Sequence, residues 1–226
     1  MNIIAFASRK GGSGKSTLAA HLSAQAGKPS RTLLIDCDPQ GSLTLWHKLR
    51  RGDKAKLISV NRGIAEIAKA AKREGYEWVF IDTPPNQSAV VSEAIRAATL
   101  VIIPARATVF DMMAVQETIA MSRDMRTPFA VVLNSAPPRR DDADSPIVAQ
   151  ARTGLDGLKV PVWGGQITNR TSLALSLASG TGVEEFAPES QGAAEISRLW
   201  TAIEKSVKAI NGAHSGGAQV MHRLAA

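Results

Sequence analysis

The chain begins with an apolar run followed at once by a loop of glycines and lysines. Residues 3–7 read Ile-Ile-Ala-Phe-Ala, and residues 9–17 read Arg-Lys-Gly-Gly-Ser-Gly-Lys-Ser-Thr. Glycines allow the backbone to turn so tightly that successive N–H groups point at phosphate oxygens beside the N-terminus of a following helix. A strand, a glycine-rich loop and a helix in this order predict a phosphate-binding loop inside an α/β domain.

Two lysines occupy this loop, and a single nucleotide requires only one of them. Lys15 occupies the position that contacts the outer phosphates, and Ser16 that of a Mg²⁺ ligand. The common pattern has a glycine five residues before Gly14, whereas this chain has Arg9 there with Lys10 beside it. Lys10 therefore has either a second partner or a solvated position on the surface, and this residue alone does not decide between them.

Two further apolar runs end in aspartates. Leu33-Leu34-Ile35 leads into the segment Asp-Cys-Asp-Pro-Gln-Gly-Ser at 36–42, and residues 78–81 lead into Asp-Thr-Pro-Pro at 82–85. The carboxyl ends of parallel strands face the ligand crevice of an open α/β sheet. A carboxylate there can contact the attacking water or the metal shell. Asp-x-Asp also occurs as a turn former, so this pair alone is weak evidence.

The three motifs in this order resemble the ParA/MinD superfamily, and most closely ParA/Soj-type ATPases of the short form with a deviant Walker A loop. The resemblance spans nearly the whole chain. It implies a single-domain P-loop NTPase with a mostly parallel twisted sheet covered by helices on both faces, and ATP and Mg²⁺ as cofactors. In one departure, Asn86 follows the two prolines where relatives commonly have glycine. Asparagine tolerates positive φ better than most residues.

The resemblance also implies roles in catalysis. Lys15 would contact the phosphates, and Asp38 would orient the hydrolytic water. Lys10 would reach across a dimer interface to the nucleotide of the partner subunit. Lys10, Lys15 and Asp38 are thus the implied catalytic residues.

The nucleotide and its metal receive the remaining roles. Thr17 would approach the α-phosphate, and Asn134 matches the position where relatives read the adenine edge, although an asparagine there could equally terminate a strand. The implied metal site comprises Ser16, Asp36 and Asp82. The implied nucleotide site comprises Lys10, Gly11, Gly12, Ser13, Gly14, Lys15, Ser16, Thr17 and Asn134.

Strand-like and helix-like stretches alternate along the rest of the chain, which favours a parallel sheet covered on both faces. A length of 226 residues suits one α/β domain, expected at 1–210 with a flexible tail at 211–226. A stripe of apolar residues at helical spacing runs from Ile196 to Ile210 and predicts a core-facing helix. Strands are expected at 2–8, 32–35, 56–60, 78–81, 99–103, 129–134 and around 159–163.

The chain carries a formal charge of +7 and a pI near 9.9, which favours a polyanionic partner. Non-specific DNA binding needs only cations spaced to meet phosphates. The candidate contacts are Arg170, Arg198, Lys205 and Lys208, each of which could instead be an ordinary solvated residue. The runs 48–51 and 69–73 are alternatives, and Arg139-Arg140 is weaker because aspartates follow it.

Several protein classes are disfavoured. Cys37 is the only cysteine, so the chain has no internal disulfide and lacks the two cysteines per subunit of related iron–sulfur reductases. No stretch of about 18 apolar residues occurs, and the glycine-interrupted tail does not resemble a membrane-seeking helix. A strand beginning at Asn2 leaves no room for an N-terminal helix-turn-helix, so site-specific operator binding is not expected. The expected location is the cytoplasm, in association with the nucleoid.

These features predict an ATPase that forms a sandwich dimer on ATP, binds DNA non-specifically and positions a cargo. The expected cargo is a plasmid, a chromosome origin or a protein cluster, and a ParB-like or cargo-adaptor protein would stimulate hydrolysis. Two alternatives stay open. One is a metabolic enzyme of the same superfamily, such as an amidoligase or a kinase-like synthetase, and the other is an interaction module that binds ATP with little turnover.

Overall fold

A computed structural model describes the chain except for residues 28–29, 52–54, 61–62, 87 and 217–226. Six strands form one sheet in the order β3-β2-β4-β1-β5-β6, and every neighbouring pair is parallel. The strands are β1 Asn2–Phe6, β2 Thr32–Asp36, β3 Lys56–Ser59, β4 Trp78–Asp82, β5 Leu100–Ala105 and β6 Phe129–Leu133. The helices are α1 Lys15–Ala26, α2 Ser42–Leu49, α3 Ile64–Arg73, α4 Ala89–Ala97, α5 Val109–Asp124, α6 Pro146–Gly157, α7 Thr171–Ala178, α8 Val183–Phe186 and α9 Gln191–Gly216.

Helices cover both faces of the sheet, as the sequence predicts. β2, β4 and β5 are buried at every position, which explains their nearly continuous apolar sequences. On one face, α1 and α9 pack over an aromatic cluster in which the rings of Trp78 and Trp200 meet edge-on, 4.7 Å apart. The predicted stripe on α9 faces this core: Ile196, Leu199, Trp200, Ile203 and Val207 are buried, and Ile210 packs against them.

One predicted strand needs correction, and one helix is longer than its apolar stripe. The segment around 159–163 does not form a seventh extended strand, since only Val162 bridges to Val131 of β6. Pro161 has no N–H to donate to a ladder, and two glycines at 164–165 follow, so pairing ends quickly. Helix α9 continues to Gly216, so residues 211–216 of the expected tail are helical, and the domain end at 210 stays a prediction. Asn211, in this extension, donates from Nδ2 to Oδ1 of Asn2 at 3.0 Å, which ties the helix to the start of β1.

The topology places the three motifs side by side. Asp82 of β4 is in register with Asp36 of β2 on one side and with Phe6 of β1 on the other. The phosphate loop follows Phe6, so the loop and both aspartates meet at the carboxyl edge of the sheet. Within the described part of the chain, no helix is both long enough and apolar enough to cross a membrane.

Candidate nucleotide-binding site

The phosphate loop is held in a shape that requires glycine at position 14. Gly14 has φ of 100° and precedes the first turn of α1, where Leu18 donates its N–H to the Gly14 carbonyl at 2.9 Å. A Cβ atom at Gly14 would lie 1.9 Å from Nδ2 of Asn134, well inside contact distance. Both the positive φ and the close approach therefore exclude a side chain there.

Asn134 braces this loop from the end of β6. Its Nδ2 donates to the carbonyl of Ser13 at 2.7 Å, and its backbone N–H donates to the carbonyl of Ala105 at 2.8 Å. The side chain is buried, and the bond joins residues 121 positions apart in the chain. The bond uses one N–H of the amide, so the adenine-reading role stays a prediction. Sequence reasoning missed the brace, because the Asn134 motif gives no sign of a bond to Ser13.

Lys15 is buried at the base of the crevice. Its Nζ donates to the carbonyl of Lys10 at 3.4 Å, which leaves most of its hydrogen-bonding capacity unused. Burial lowers the pKa of Lys15, and the charges of Asp82 and Asp38 oppose that shift. A bound polyphosphate would favour the charged form further.

Asp82 is fully buried, and neither of its oxygens accepts a hydrogen bond of good geometry from the described residues, although the Ser16 hydroxyl lies close by. Burial raises its pKa to about 7, although the nearby Ser16 hydroxyl and Lys15 favour the ionised form. Burial disfavours the charged form of this carboxyl group, and a bound cation would favour it. Mg²⁺ prefers oxygen ligands and is typically held by one or two carboxylates together with substrate phosphates. The Ser16 and Asp82 side chains fit that requirement.

Asp36 is already engaged in local structure. Its Oδ2 accepts from the N–H and the hydroxyl of Thr44, at 2.8 and 2.6 Å, and its Oδ1 accepts from the N–H of Asp38 at 3.1 Å. These bonds fix the entry to α2. The geometry thus gives Asp36 a structural role, and a contact with the metal stays a prediction. Asp38 is half-buried, and its Oδ1 accepts from the N–H of Gln40 at 3.0 Å.

Arg9 and Lys10 differ in their surroundings. Arg9 Nη1 forms an ion pair with Glu117 Oε2 of α5 at 2.6 Å. Lys10 is exposed, and no described residue pairs with its ammonium group. This contrast favours the interpretation in which Lys10 is available to a second molecule. At the other end of the site, Asn86 keeps a negative φ, so the loop after Asp82 needs no left-handed residue at that position.

The predicted DNA-binding residues fall into two groups. Arg170 Nη2 lies 2.9 Å from Oε1 of Glu195, whose side chain is only 8% exposed, so its charge is neutralised within the fold. This ion pair weakens the case for a DNA contact at Arg170, which stays a prediction. Arg198, Lys205 and Lys208 are exposed on α9, and no described residue forms an ion pair with them. Their spacing places the three side chains along one side of the helix.

The chain matches known nucleotide-binding proteins over most of its length. Residues 4–183 match the family described as CobQ/CobB/MinD/ParA nucleotide binding domain. Among curated proteins, it is 27% identical over 202 residues to "Maintenance of carboxysome distribution protein A" of Halothiobacillus neapolitanus, covering 85% of this chain and 91% of that protein. It is 29% identical over 154 residues to "Chromosome-partitioning ATPase Soj" of Thermus thermophilus, covering 54% and 62% respectively.

Coverage differs among these relatives. The match to the carboxysome distribution protein of Gloeobacter kilaueensis, at 33% identity, covers 52% of this chain and 55% of that protein. The chain thus spans about half the length of that relative.

Solved structures of similar fold carry nucleotides in several cases. The match to apo McdA of Cyanothece covers 93% of this chain and 99% of that protein, with a TM-score of 0.74 at 17% identity. Cobyrinic acid a,c-diamide synthase of Mycobacterium smegmatis, with bound ADP and magnesium, covers 92% and 96%, with a TM-score of 0.70 at 19% identity. The predicted α/β fold is confirmed, and nucleotide binding is confirmed at the level of the family. Solved structures of this fold carry ATP in one case and ADP with magnesium in another. The chain therefore belongs to the CobQ/CobB/MinD/ParA family of nucleotide-binding domains, with the fold of the ParA/MinD ATPases.

Proposed function

We propose that this protein is a ParA-like ATPase that dimerises on ATP, binds DNA non-specifically and positions a cargo. The observation that carries the proposal is Asp82, buried and unpaired beside Ser16 and Lys15. A fold stabilises such a carboxylate poorly unless a cation binds it, and the Mg²⁺ that accompanies a bound nucleotide would supply that cation.

Each residue of the site has a role in the proposed reaction. The backbone of residues 11–14 and the ammonium of Lys15 would hold the phosphates, while Thr17 would approach the α-phosphate. Ser16 and Asp82 would hold Mg²⁺, which would neutralise the negative charge that develops on the departing ADP. Asp38, at the mouth of the crevice, would orient the water that attacks the terminal phosphate.

Lys10 is the residue that would link the two subunits of the proposed dimer. It is exposed and unpaired within the described structure, whereas its neighbour Arg9 is bound to Glu117. A lysine that extends from the rim of the loop can contact the nucleotide of a second subunit placed face to face. ATP, which presents one more phosphate than ADP, would then stabilise the dimer.

The exposed cations on α9 support the proposed DNA binding. Dimerisation places two weak basic faces on one polyanion, and the resulting effective concentration raises affinity well above that of either face alone. Hydrolysis, stimulated by a ParB-like or cargo-adaptor protein, would release monomers. Relatives named for chromosome partitioning and for carboxysome distribution support a positioning role, with a plasmid, a chromosome origin or a protein cluster as the cargo.

One observation favours the alternative of a metabolic enzyme. A cavity of about 550 Å³ lies between the loop that contains Asp141, the segment around Gln166 and the first turns of α9. Its volume lies in the range of small-molecule sites. A second substrate of an amidoligase or a synthetase could occupy it.

Turnover of Mg²⁺-ATP, measured with and without duplex DNA of arbitrary sequence, separates the candidate functions. We expect weak turnover alone and an ATP-dependent dimer in sedimentation experiments that is retained on DNA. If the protein stayed monomeric with ATP and did not bind DNA, the positioning function would be excluded. Turnover that depends on a small carboxylic acid or amine co-substrate would support the metabolic alternative.

A further inference from the structure

An arginine outside the sequence motifs lies over the phosphate loop. Arg106 follows directly after β5, the strand that pairs with β1 on the side opposite Asp82. A Cβ atom placed on Gly12 would lie 3.2 Å from Nη2 of Arg106. The guanidinium therefore lies against the turn of the loop, and a side chain at Gly12 would have to displace it slightly.

The backbone of Arg106 is fixed on both sides. Its N–H donates to Asp111 Oδ1 at 3.4 Å, and its carbonyl accepts from the N–H of Thr108 at 2.8 Å. The Thr108 hydroxyl donates to Asp111 Oδ2 at 2.6 Å and accepts from the Asp111 N–H at 3.2 Å. This cap at the start of α5 holds the end of β5, so the arginine projects from a rigid base towards Gly12.

The Arg106 side chain is exposed at the rim of the loop, and no acidic side chain of the described residues forms an ion pair with it. Arg9, at the same rim, differs because Glu117 neutralises it. Together with Lys10 and Lys15, Arg106 brings a third positive charge to this loop, and positive charges held close together attract an anion. Arginine is suited to that anion, because its planar fork of donors matches the oxygens of a phosphate group.

We propose that Arg106 is a further nucleotide-binding residue that contacts the terminal phosphate of ATP at the Gly12 side of the loop. This inference rests on the proposed function, because it assumes that the loop binds a nucleoside triphosphate. The phosphate belongs either to the nucleotide of the same subunit or to that of the partner in an ATP-bound dimer. In both cases the contact distinguishes ATP from ADP, which lacks the terminal group.

The test compares the affinity of a non-hydrolysable ATP analogue, AMP-PNP, with that of ADP by titration calorimetry in Mg²⁺. Arg106→Ala should weaken AMP-PNP binding by about tenfold or more, because a charge-assisted hydrogen bond is lost. ADP binding should change by less than about twofold, since the lost contact is to the terminal phosphate. Arg106→Lys keeps the charge but lacks the fork, and should fall between the two.

A matched control is Arg96→Ala, which removes another exposed arginine, at the end of α4, and should leave both affinities unchanged. Melting followed by circular dichroism checks that Arg106→Ala is folded. Loss of AMP-PNP affinity at concentrations where the protein is monomeric identifies the subunit's own phosphate, and loss only where dimers form identifies the partner's.

Two results would overturn the inference. If Arg106→Ala bound AMP-PNP and ADP with the affinities of the wild type, the guanidinium would be an ordinary surface group. If the variant lost affinity equally for both nucleotides, the substitution would have a general effect on the loop. Either result leaves the proposed function intact if the wild type still dimerises on AMP-PNP. A wild-type protein that binds neither nucleotide would overturn the proposed function and this inference together.

Discussion

The crevice at the carboxyl edge of the sheet and the outer face of α9 both concentrate charge, but in different environments. In the crevice, Lys15 and Asp82 are buried, and neither oxygen of Asp82 accepts a hydrogen bond of good geometry from the described residues. On α9, Arg198, Lys205 and Lys208 are exposed, where water can compensate them. Burial of an unpaired charge costs several kcal/mol, whereas an exposed lysine costs almost nothing. The crevice therefore indicates a ligand far more strongly than the helix face does.

The largest effect should come from removing the buried cation of the crevice. Lys15→Ala should weaken ATP binding by about 100-fold or more, because the backbone N–H groups alone cannot neutralise the outer phosphates. Titration with AMP-PNP measures this loss. Lys69→Ala, a change at an exposed lysine of α3, is the control. If Lys15→Ala bound AMP-PNP with wild-type affinity, the crevice would not be a phosphate site.

A substitution at Gly14 tests how tightly the loop is built. Gly14→Ala should lower the free energy of unfolding by about 2 to 5 kcal/mol, because it combines a strained positive φ with a collision against Asn134. Gly75→Ala, at φ of 76° with open space around it, isolates the backbone cost alone. That control should lose only about 1 to 2 kcal/mol. Urea denaturation of both variants provides the comparison, and equal losses would show that the contact with Asn134 does not matter.

How much of this site the sequence predicts depends on how local each feature is. The loop, Asp38 and Asp82 follow from motifs at strand ends, because a parallel sheet brings those ends together. The brace from Asn134 to Ser13 and the approach of Arg106 to Gly12 join residues far apart in the chain, and no short pattern encodes such distances. The same limit applies to the ion pair of Arg170, since its partner Glu195 lies 25 residues away on another element.

Acid stability tests a second buried titratable group, His21 on α1, which contacts α8. Burial lowers the pKa of His21 to about 4, and its Nδ1 accepts from the N–H of Val183 at 3.1 Å. The unfolded chain, with a pKa near 6.5, binds a proton first as the pH falls. The stability contributed by neutral His21 is therefore complete above pH 6.5 and is lost as the pH falls towards 4, by up to about 3 kcal/mol.

The matched variant for this measurement is His21→Asn, whose amide oxygen can accept the same bond without titrating. Urea denaturation at a series of pH values should show wild-type stability falling more steeply than that of the variant between pH 6.5 and 4. Parallel curves would show that His21 is not kept neutral by the fold.

Lys10 and Asp38 form a matched pair of variants at the mouth of the crevice. Lys10→Ala should bind ATP almost normally but fail to dimerise, since its proposed target lies on the partner subunit. Asp38→Ala should bind ATP and remain dimeric without turnover, because only the positioning of water is lost. Analytical ultracentrifugation with ATP and a phosphate-release assay distinguish them. A Lys10→Ala dimer, or normal turnover by Asp38→Ala, would contradict the respective role.

The smallest effect per residue is expected on α9, where each cation acts through solvent. Binding of ATP-loaded protein to duplex DNA should weaken as salt rises and should not depend on sequence, because the contacts are to phosphates. Each lost phosphate contact lowers the slope of log affinity against log salt concentration by about 1. Lys205→Glu and Lys208→Glu together should therefore reduce this slope measurably. Arg170→Glu is the informative contrast, because it faces the buried Glu195 and should destabilise the fold rather than act selectively on DNA binding.

If the double variant on α9 still dimerises on ATP and binds DNA with the wild-type slope, those lysines are an ordinary solvated surface. The exposed basic residues Lys48 and Arg51 would then be the next candidates for the DNA contact.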